Sequence, residues 1–325
     1  MKKVAIGVDI GGTNTAIGVV DELGNVIVKD NIMTRTDGDV DLYVDDLTLA
    51  IRELIKSVKL INSEIEVMGI GIGAPNGNYY AGTIEYAANL AFKGIVPLVK
   101  LLKIKFPELQ AISLTNDANA AAIGEMIYGG AKGMKNFVMF TLGTGVGSGI
   151  VVNGDLVYGS DGFAGECGHT TLFPDGRLCG CGGHGHMEAY CSAPGMKRTA
   201  FELMAKYNAN NSLLANKSFI ELDSKAIFEA AEKGDKVALE VFELTGKWLG
   251  ISFADTAHHL SPEAIFLFGG PTAAGDYIFK PAKESMEHHL LTTFKNKIQI
   301  LPSQLKPGDA PIVGASALVY KELEK

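Results

Sequence analysis

One pattern occurs twice in this chain and constrains its architecture more than any other. It is an apolar strand, a glycine-rich turn carrying threonine, and an apolar return strand. The first copy runs from Val4 to Ile10, turns through Gly11-Gly12-Thr13-Asn14 and returns from Ala16 to Val20. The second runs from Phe137 to Leu142, turns through Gly143-Thr144-Gly145-Val146-Gly147-Ser148 and returns from Gly149 to Val152. Short apolar runs broken by glycine read as hairpins. Each is followed by a further turn, Asp21-Glu22-Leu23-Gly24-Asn25 in the first copy and Asn153-Gly154 in the second. A unit repeated in this way predicts an α/β fold of two duplicated domains with a cleft between the copies.

The 325 residues are enough for two domains. Leu47, Ile51, Leu54, Ile55 and Val58 fall at helical spacing, and Val67 to Ile72 reads as a strand. Ile112-Ser113-Leu114 predicts a strand, after which Asn116-Asp117 open an alanine-rich helix from Ala118 to Tyr128. The second half is helix-rich, with helices expected from Lys225 to Lys233 and from Val237 to His259, then a strand from Ala264 to Phe268. A last helix is expected from Ala315 to Glu324. The boundary is expected near Thr115–Asp117. Residues 1–116 then form a small first domain and 117–305 a larger second one, with 306–325 crossing back to the first.

The net charge of −8 opposes bulk binding to a phosphate backbone, so no nucleic-acid partner is expected. Met1-Lys2-Lys3 resembles the start of a signal peptide, but the apolar run behind it breaks at Asp9, which makes it a strand and turn. No run of 18 apolar residues exists, so no membrane span is expected. All four cysteines lie between Cys167 and Cys191. Clustered thiols point to a metal and a reducing, cytoplasmic compartment.

The turns are candidates for holding phosphate. Glycines at 11, 12 and 145 let backbone amides approach an anion, and the hydroxyls of Thr13 and Thr144 add donors, with Asn14 beside the first turn. Asp9, at the strand end, can hold Mg²⁺ through water. A third patch, Phe268-Gly269-Gly270-Pro271-Thr272, can pass an adenine or ribose. An ordinary hairpin turn is the simpler reading of any one of them, and the repetition favours a polyphosphate clamp. The Gly246-Lys247 pair lacks the glycine that a P-loop needs at position 241, and no Gly-x-Gly-x-x-Gly links a strand to a helix.

Asn116-Asp117 supports two readings, a helix N-cap or a general base at the cleft. The segment from Glu166 to Glu188 holds two glutamates, three cysteines and three histidines. Cys179 and Cys181, with His169 and His186, make a four-ligand zinc site, closed and therefore structural, with His184 competing for the fourth position. Cys167 and Cys191 read as small core residues. His258-His259 and His288-His289 read as helix-surface residues, since adjacent positions on a helix diverge.

Four motifs together resemble the ROK family of repressors and sugar kinases, and within it the ATP-dependent glucokinases. Residues 9–14 and 142–149 resemble its two phosphate motifs. Gly162-Phe163-Ala164-Gly165-Glu166-Cys167-Gly168-His169 is similar to its sugar signature, and residues 179–188 to its zinc signature. In the zinc signature His186 replaces the family's third cysteine. The resemblance implies two actin-like, RNase H-type domains, a zinc-pinned loop and a homodimer. It implies that Asp117 is the general base and that Asn89, Asn116, Asp117, Glu166, His169 and Glu188 contact sugar hydroxyls. The implied reaction moves the γ-phosphate of Mg²⁺–ATP to the 6-hydroxyl of glucose, which feeds glycolysis. Two alternatives remain. One is a kinase for N-acetylglucosamine, N-acetylmannosamine, fructose or allose. The other is a sugar-sensing regulator, which would need an N-terminal helix-turn-helix, whereas the first strand begins at Val4.

Overall fold

Apolar residues buried on both faces of Val4 to Val8 make the first strand the centre of a sheet. The computed structural model describes residues 2–324, and the expected domain ends at Met1 and Lys325 lie outside the described residues. In chain order the first part contains β1 (Lys2–Ile10), β2 (Asn14–Asp21), β3 (Val26–Met33), α1 (Val40–Ile61) and β4 (Ile65–Gly73). Three short strands follow, β5 (Gly77–Asn78), β6 (Thr83–Glu85) and β7 (Ile95–Val96), then α2 (Leu98–Lys105), β8 (Ala111–Thr115) and α3 (Asp117–Tyr128).

The second repeat begins with β9 (Phe137–Leu142), β10 (Val146–Val152) and β11 (Asp155–Leu156). After the Cys/His segment come α4 (Glu188–Cys191), α5 (Ala193–Tyr207), α6 (Ser224–Glu232), α7 (Lys236–Leu260), β12 (Ala264–Phe268), α8 (Asp276–His289), β13 (Gln299–Pro302) and α9 (Ala310–Leu323).

The sheets are mixed and carry the duplication. The first has the order β3-β2-β1-β4-β8 and the second β11-β10-β9-β12-β13. In both, the first strand of the repeat is central. β1 pairs antiparallel with β2 and parallel with β4, and β12 pairs parallel with β9 and β13.

Two compact units emerge. The first is Met1–Met134 with Gly149–Gly165 and Ser303–Lys325, and the second is Lys135–Ser148 with Glu166–Pro302. These bounds differ from the 1–116 and 117–305 division expected from the sequence. The reason is α3, whose backbone packs against α9. A Cβ on Gly124 would lie 2.8 Å from the Gly314 Cα, so the two helices cross backbone to backbone and α3 stays with the first unit. The expected return of the C-terminal helix is present, although α9 starts at Ala310, five residues earlier than periodicity placed it. It lies directly on the first sheet. A Cβ on Gly7 or Gly71 would come within 1.9 Å of the Ile312 or Ala315 carbonyl oxygen. The glycines in β1 and β4 exist for this close approach.

Candidate functional site

Strand register brings the first unit's candidate residues together. Asp9 of β1 pairs with Gly73 of β4, and Gly73 pairs with Thr115 of β8. The chain then passes through Asn116 into α3. Asp9, Gly73 and Asp117 therefore line up across three parallel strand ends, where α/β sheets characteristically hold ligands. Gly73 sits between the acids: a Cβ there would be 3.7 Å from the Asp9 Oδ1 and 3.7 Å from the Asp117 Cα. Burial, then the negative charge of Asp117, pushes the Asp9 carboxyl up to about 6. Asp117 is exposed by accessible surface, yet it sits deep enough that desolvation raises its carboxyl above the usual range. The backbone N–H of Ala118, donating to Oδ1 at 2.9 Å, opposes that rise.

Asn116 meets the simpler of its two readings. Its Oδ1 accepts the Asn119 N–H at 2.7 Å as the cap of α3. That leaves its amide nitrogen as the polar group not used by the cap.

The first glycine turn is built on a buried hydroxyl network. Thr15 Oγ1 lies 2.9 Å from Thr34 Oγ1 and 2.7 Å from the Tyr43 hydroxyl, and Thr34 Oγ1 donates to the Gly11 carbonyl at 2.8 Å. Gly11 N–H donates to the Asn14 carbonyl, and Thr34 N–H to the Thr13 carbonyl. Gly12 has no room for a side chain, because a Cβ would stand 2.6 Å from the Asn89 carbonyl oxygen. Asn89, which carried no signal of its own in the sequence beyond the family resemblance, thus lies against the first turn.

In the second unit, β9 and β12 end side by side, with Thr141 paired to Phe268. This joins the second and third glycine patches. Gly269 adopts φ +115°, and a Cβ there would fall 2.0 Å from the Leu142 carbonyl oxygen. Thr144 and Gly270 are exposed. Gly145 is different: a Cβ on it would meet Glu188 Oε2 at 2.5 Å. That oxygen accepts the Val146 N–H at 3.0 Å, and Glu188 Oε1 accepts from the Cys179 thiol at 3.2 Å. Glu166 is exposed, with its Oε2 3.9 Å from His169 Nε2.

His169, Cys179, Cys181 and His186 converge, their ligand atoms all within 4.8 Å of one another. Cys179 Sγ lies 3.8 Å from His169 Nδ1, and Cys181 Sγ lies 3.2 Å from His186 Nδ1. Tetrahedral zinc with Zn–S of about 2.3 Å and Zn–N of about 2.0 Å needs ligand separations of roughly 3.3–3.8 Å, so the two closest pairs lie near that range and the donor types, two thiols and two imidazoles, suit such an ion. His184 stands outside the cluster, with its Nδ1 3.3 Å from the Gly176 carbonyl oxygen. Gly183 makes room for the His186 imidazole, since a Cβ there would be 2.4 Å from His186 Cε1. Cys191 is fully buried, as a core thiol should be, whereas Cys167 is only partly so. His258 accepts the Leu291 N–H and His289 meets the Ser285 carbonyl, so both serve helix ends.

Two contributors escaped sequence reasoning. One is Gly73, which a reading of the alternating Gly69, Gly71 and Gly73 as close-approach positions could have found. The other is Arg177. It lies 4.6 Å over the Tyr190 ring and 5.5 Å from the Trp248 ring, and donates to the Ala189 and Gly195 carbonyls. Its backbone N–H donates to the Tyr190 hydroxyl at 2.8 Å, which fastens the loop two residues before Cys179.

The ROK family profile matches residues 5–322. The chain is 34% identical to a glucokinase of Halalkalibacterium halodurans, over 98% of this chain and 95% of that protein. It is 32% identical to a glucokinase of Thermotoga maritima, over 98% of both. A crystal structure of a ROK family glucokinase from Streptomyces griseus in complex with glucose and AMPPNP superposes with a TM-score of 0.80 at 32% identity. That match covers 98% of this chain and 99% of the other. With a profile match spanning nearly its whole length, the chain belongs to the ROK family.

Proposed function

We propose that this protein is an ATP-dependent glucokinase, converting glucose to glucose 6-phosphate. The similarity to glucokinases from two organisms and to a glucokinase that binds glucose and AMPPNP supports the substrates. The observation that carries the chemistry is the pair of raised carboxyls, Asp9 and Asp117, at one sheet end. Asp117 is the general base. It takes the proton of the 6-hydroxyl as that oxygen bonds to the γ-phosphorus, while the bond from phosphorus to the bridging oxygen breaks and ADP leaves. A base with a carboxyl raised above the ordinary range is a stronger proton acceptor than a surface aspartate.

Asp9 would hold Mg²⁺ on the nucleotide, an ion that would supply charge neutralisation at the phosphates. Gly11, Gly12, Thr13 and Asn14 of the first turn, Thr144 and Gly145 of the second, and Gly269 and Gly270 serve ATP in this reading. Asn89, Asn116, Glu166, His169 and Glu188 orient the sugar hydroxyls. His169, Cys179, Cys181 and His186 would hold a structural zinc, whose part would be to fix the loop. The actin-like pairing of domains, a cytoplasmic location and a homodimer belong to the same reading. Among the described residues, no helix is long and apolar enough to cross a membrane.

ADP release measured against glucose, mannose, fructose, allose and the two N-acetylhexosamines tests the proposal. Glucose should give the highest kcat/KM. A preference for an N-acetylhexosamine would move the substrate, and tight sugar binding without ATP turnover would favour the regulator.

A further inference from the structure

The second glycine turn has two faces, and one of them is already taken. Gly145 contributes the space and Val146 the N–H that hold one oxygen of Glu188. The Val146 carbonyl is in use as well. A Cβ on Gly168 would lie 2.0 Å from it, so the turn that leads into His169 is packed against the same peptide. Ala193 N–H donates to the Gly143 carbonyl at 2.9 Å, which ties the segment after Glu188 to the start of the turn. The stretch from Gly143 to Val146 is thus a bracket for two segments that carry sugar-side groups.

We infer that Gly145 is a positioning residue for the sugar, acting through Glu188, rather than a phosphate contact. A backbone N–H at 3.0 Å fixes a carboxylate oxygen only if nothing stands between them, and any side chain at 145 would. A carboxylate fastened at one oxygen and one end of a short helix has few orientations left, so its alignment toward a hydroxyl is set before the ligand arrives. The inference rests on the glucokinase reading for the identity of the ligand, and it reassigns one residue within that reading.

The test is Gly145→Ala, Glu188→Ala and the double variant, assayed for glucose KM, ATP KM and kcat, with glucose and AMPPNP binding followed separately by calorimetry. Gly145→Ala should weaken glucose binding by about 10-fold or more, the scale of a lost charged hydrogen bond, and change AMPPNP binding by less than about 2-fold. In the Glu188→Ala background the added methyl has free space, so the second substitution should cost nothing further. That background also guards against a fold defect, since the double variant relieves the clash. Loss of AMPPNP affinity with glucose affinity intact would overturn the inference and restore the phosphate role. Additive losses in the double variant would overturn it too, because Gly145 would then act without Glu188. Wild-type protein that binds neither ligand would instead overturn the glucokinase reading, a result visible before any variant is made.

Discussion

Gly73 stands beside both Asp9 and Asp117, a Cβ on it lying 3.7 Å from the Asp9 Oδ1 and 3.7 Å from the Asp117 Cα, and burial together with the charge of Asp117 holds Asp9 at about 6. Two carboxylates kept this close in a desolvated place are unfavourable when both are ionised. A metal cation or a transferred proton removes the conflict. Folding tolerates the pair because the sheet register, not the charges, sets their positions.

That conflict should be measurable as a pH dependence of stability. The folded state binds a proton at Asp9 up to about pH 6, while the unfolded chain releases it near 3.8. Between these values the folded state holds more protons, so the Asp9 contribution to stability falls as pH rises from about 4 to about 6 and is constant above, beside a contribution of the same sign from the raised carboxyl of Asp117. Asp9→Asn removes the Asp9 part, leaving that of Asp117, and should gain about 2–3 kcal/mol over wild type above pH 6, with the gain vanishing near pH 4. Urea unfolding in chelator from pH 4 to 8 measures it. A gain independent of pH would show that Asp9 ionises normally. Millimolar Mg²⁺ should shrink the difference if Asp9 meets the ion.

Asp117→Asn should leave the fold intact, because Asn116, not Asp117, caps α3. Removing the proton acceptor should lower kcat by about 10²–10⁴-fold with little change in ATP KM. The carboxyl carbon of Asp9, followed by NMR, should titrate lower in this variant, since a neighbouring negative charge has gone. A near-normal kcat would make Asp117 a helix residue only.

Gly71→Ala should be strongly destabilising. Its Cβ would sit 1.9 Å from the backbone carbonyl of Ala315, and neither sheet nor α9 can yield without losing packing. A loss above about 2 kcal/mol is expected from such overpacking, against less than about 0.5 kcal/mol for Gly308→Ala, where nothing lies within 4 Å. Denaturant midpoints compare the two. Equal effects would mean that α9 is more loosely seated than its glycine contacts imply.

The duplication was legible because hairpins and glycine turns are local, as was the helix opened by Asn116. The Cys/His cluster was legible for the same reason, since its four members lie within 18 residues, and His184 meets the Gly176 carbonyl outside it. What stayed hidden depends on register and on distant chain. Gly73 matters only because β4 lies between β1 and β8. Glu188 reaches Val146 across 42 residues, and no spacing rule foretells that a carboxylate will fill the room beside Gly145. The compact units differ from the expected division for the same kind of reason, because Gly124 of α3 lies against Gly314 of α9.

The metal cluster gives the last expectation. Purified protein should carry about one Zn²⁺ per chain, and His186→Ala should lose most of it, since a closed site depends on its full ligand set. His184→Ala should keep it. The reverse result would exchange the two histidines. The Cys179 thiol proton that meets Glu188 Oε1 is given up when the sulfur binds zinc, so the metal would set Glu188 by fixing the loop that carries it, while Val146 N–H holds the other oxygen. Glucose affinity of folded, zinc-depleted protein should then fall well before AMPPNP affinity does. Equal losses of both, together with a lowered melting temperature, would mean that zinc supports the fold as a whole and does not set the sugar-side groups.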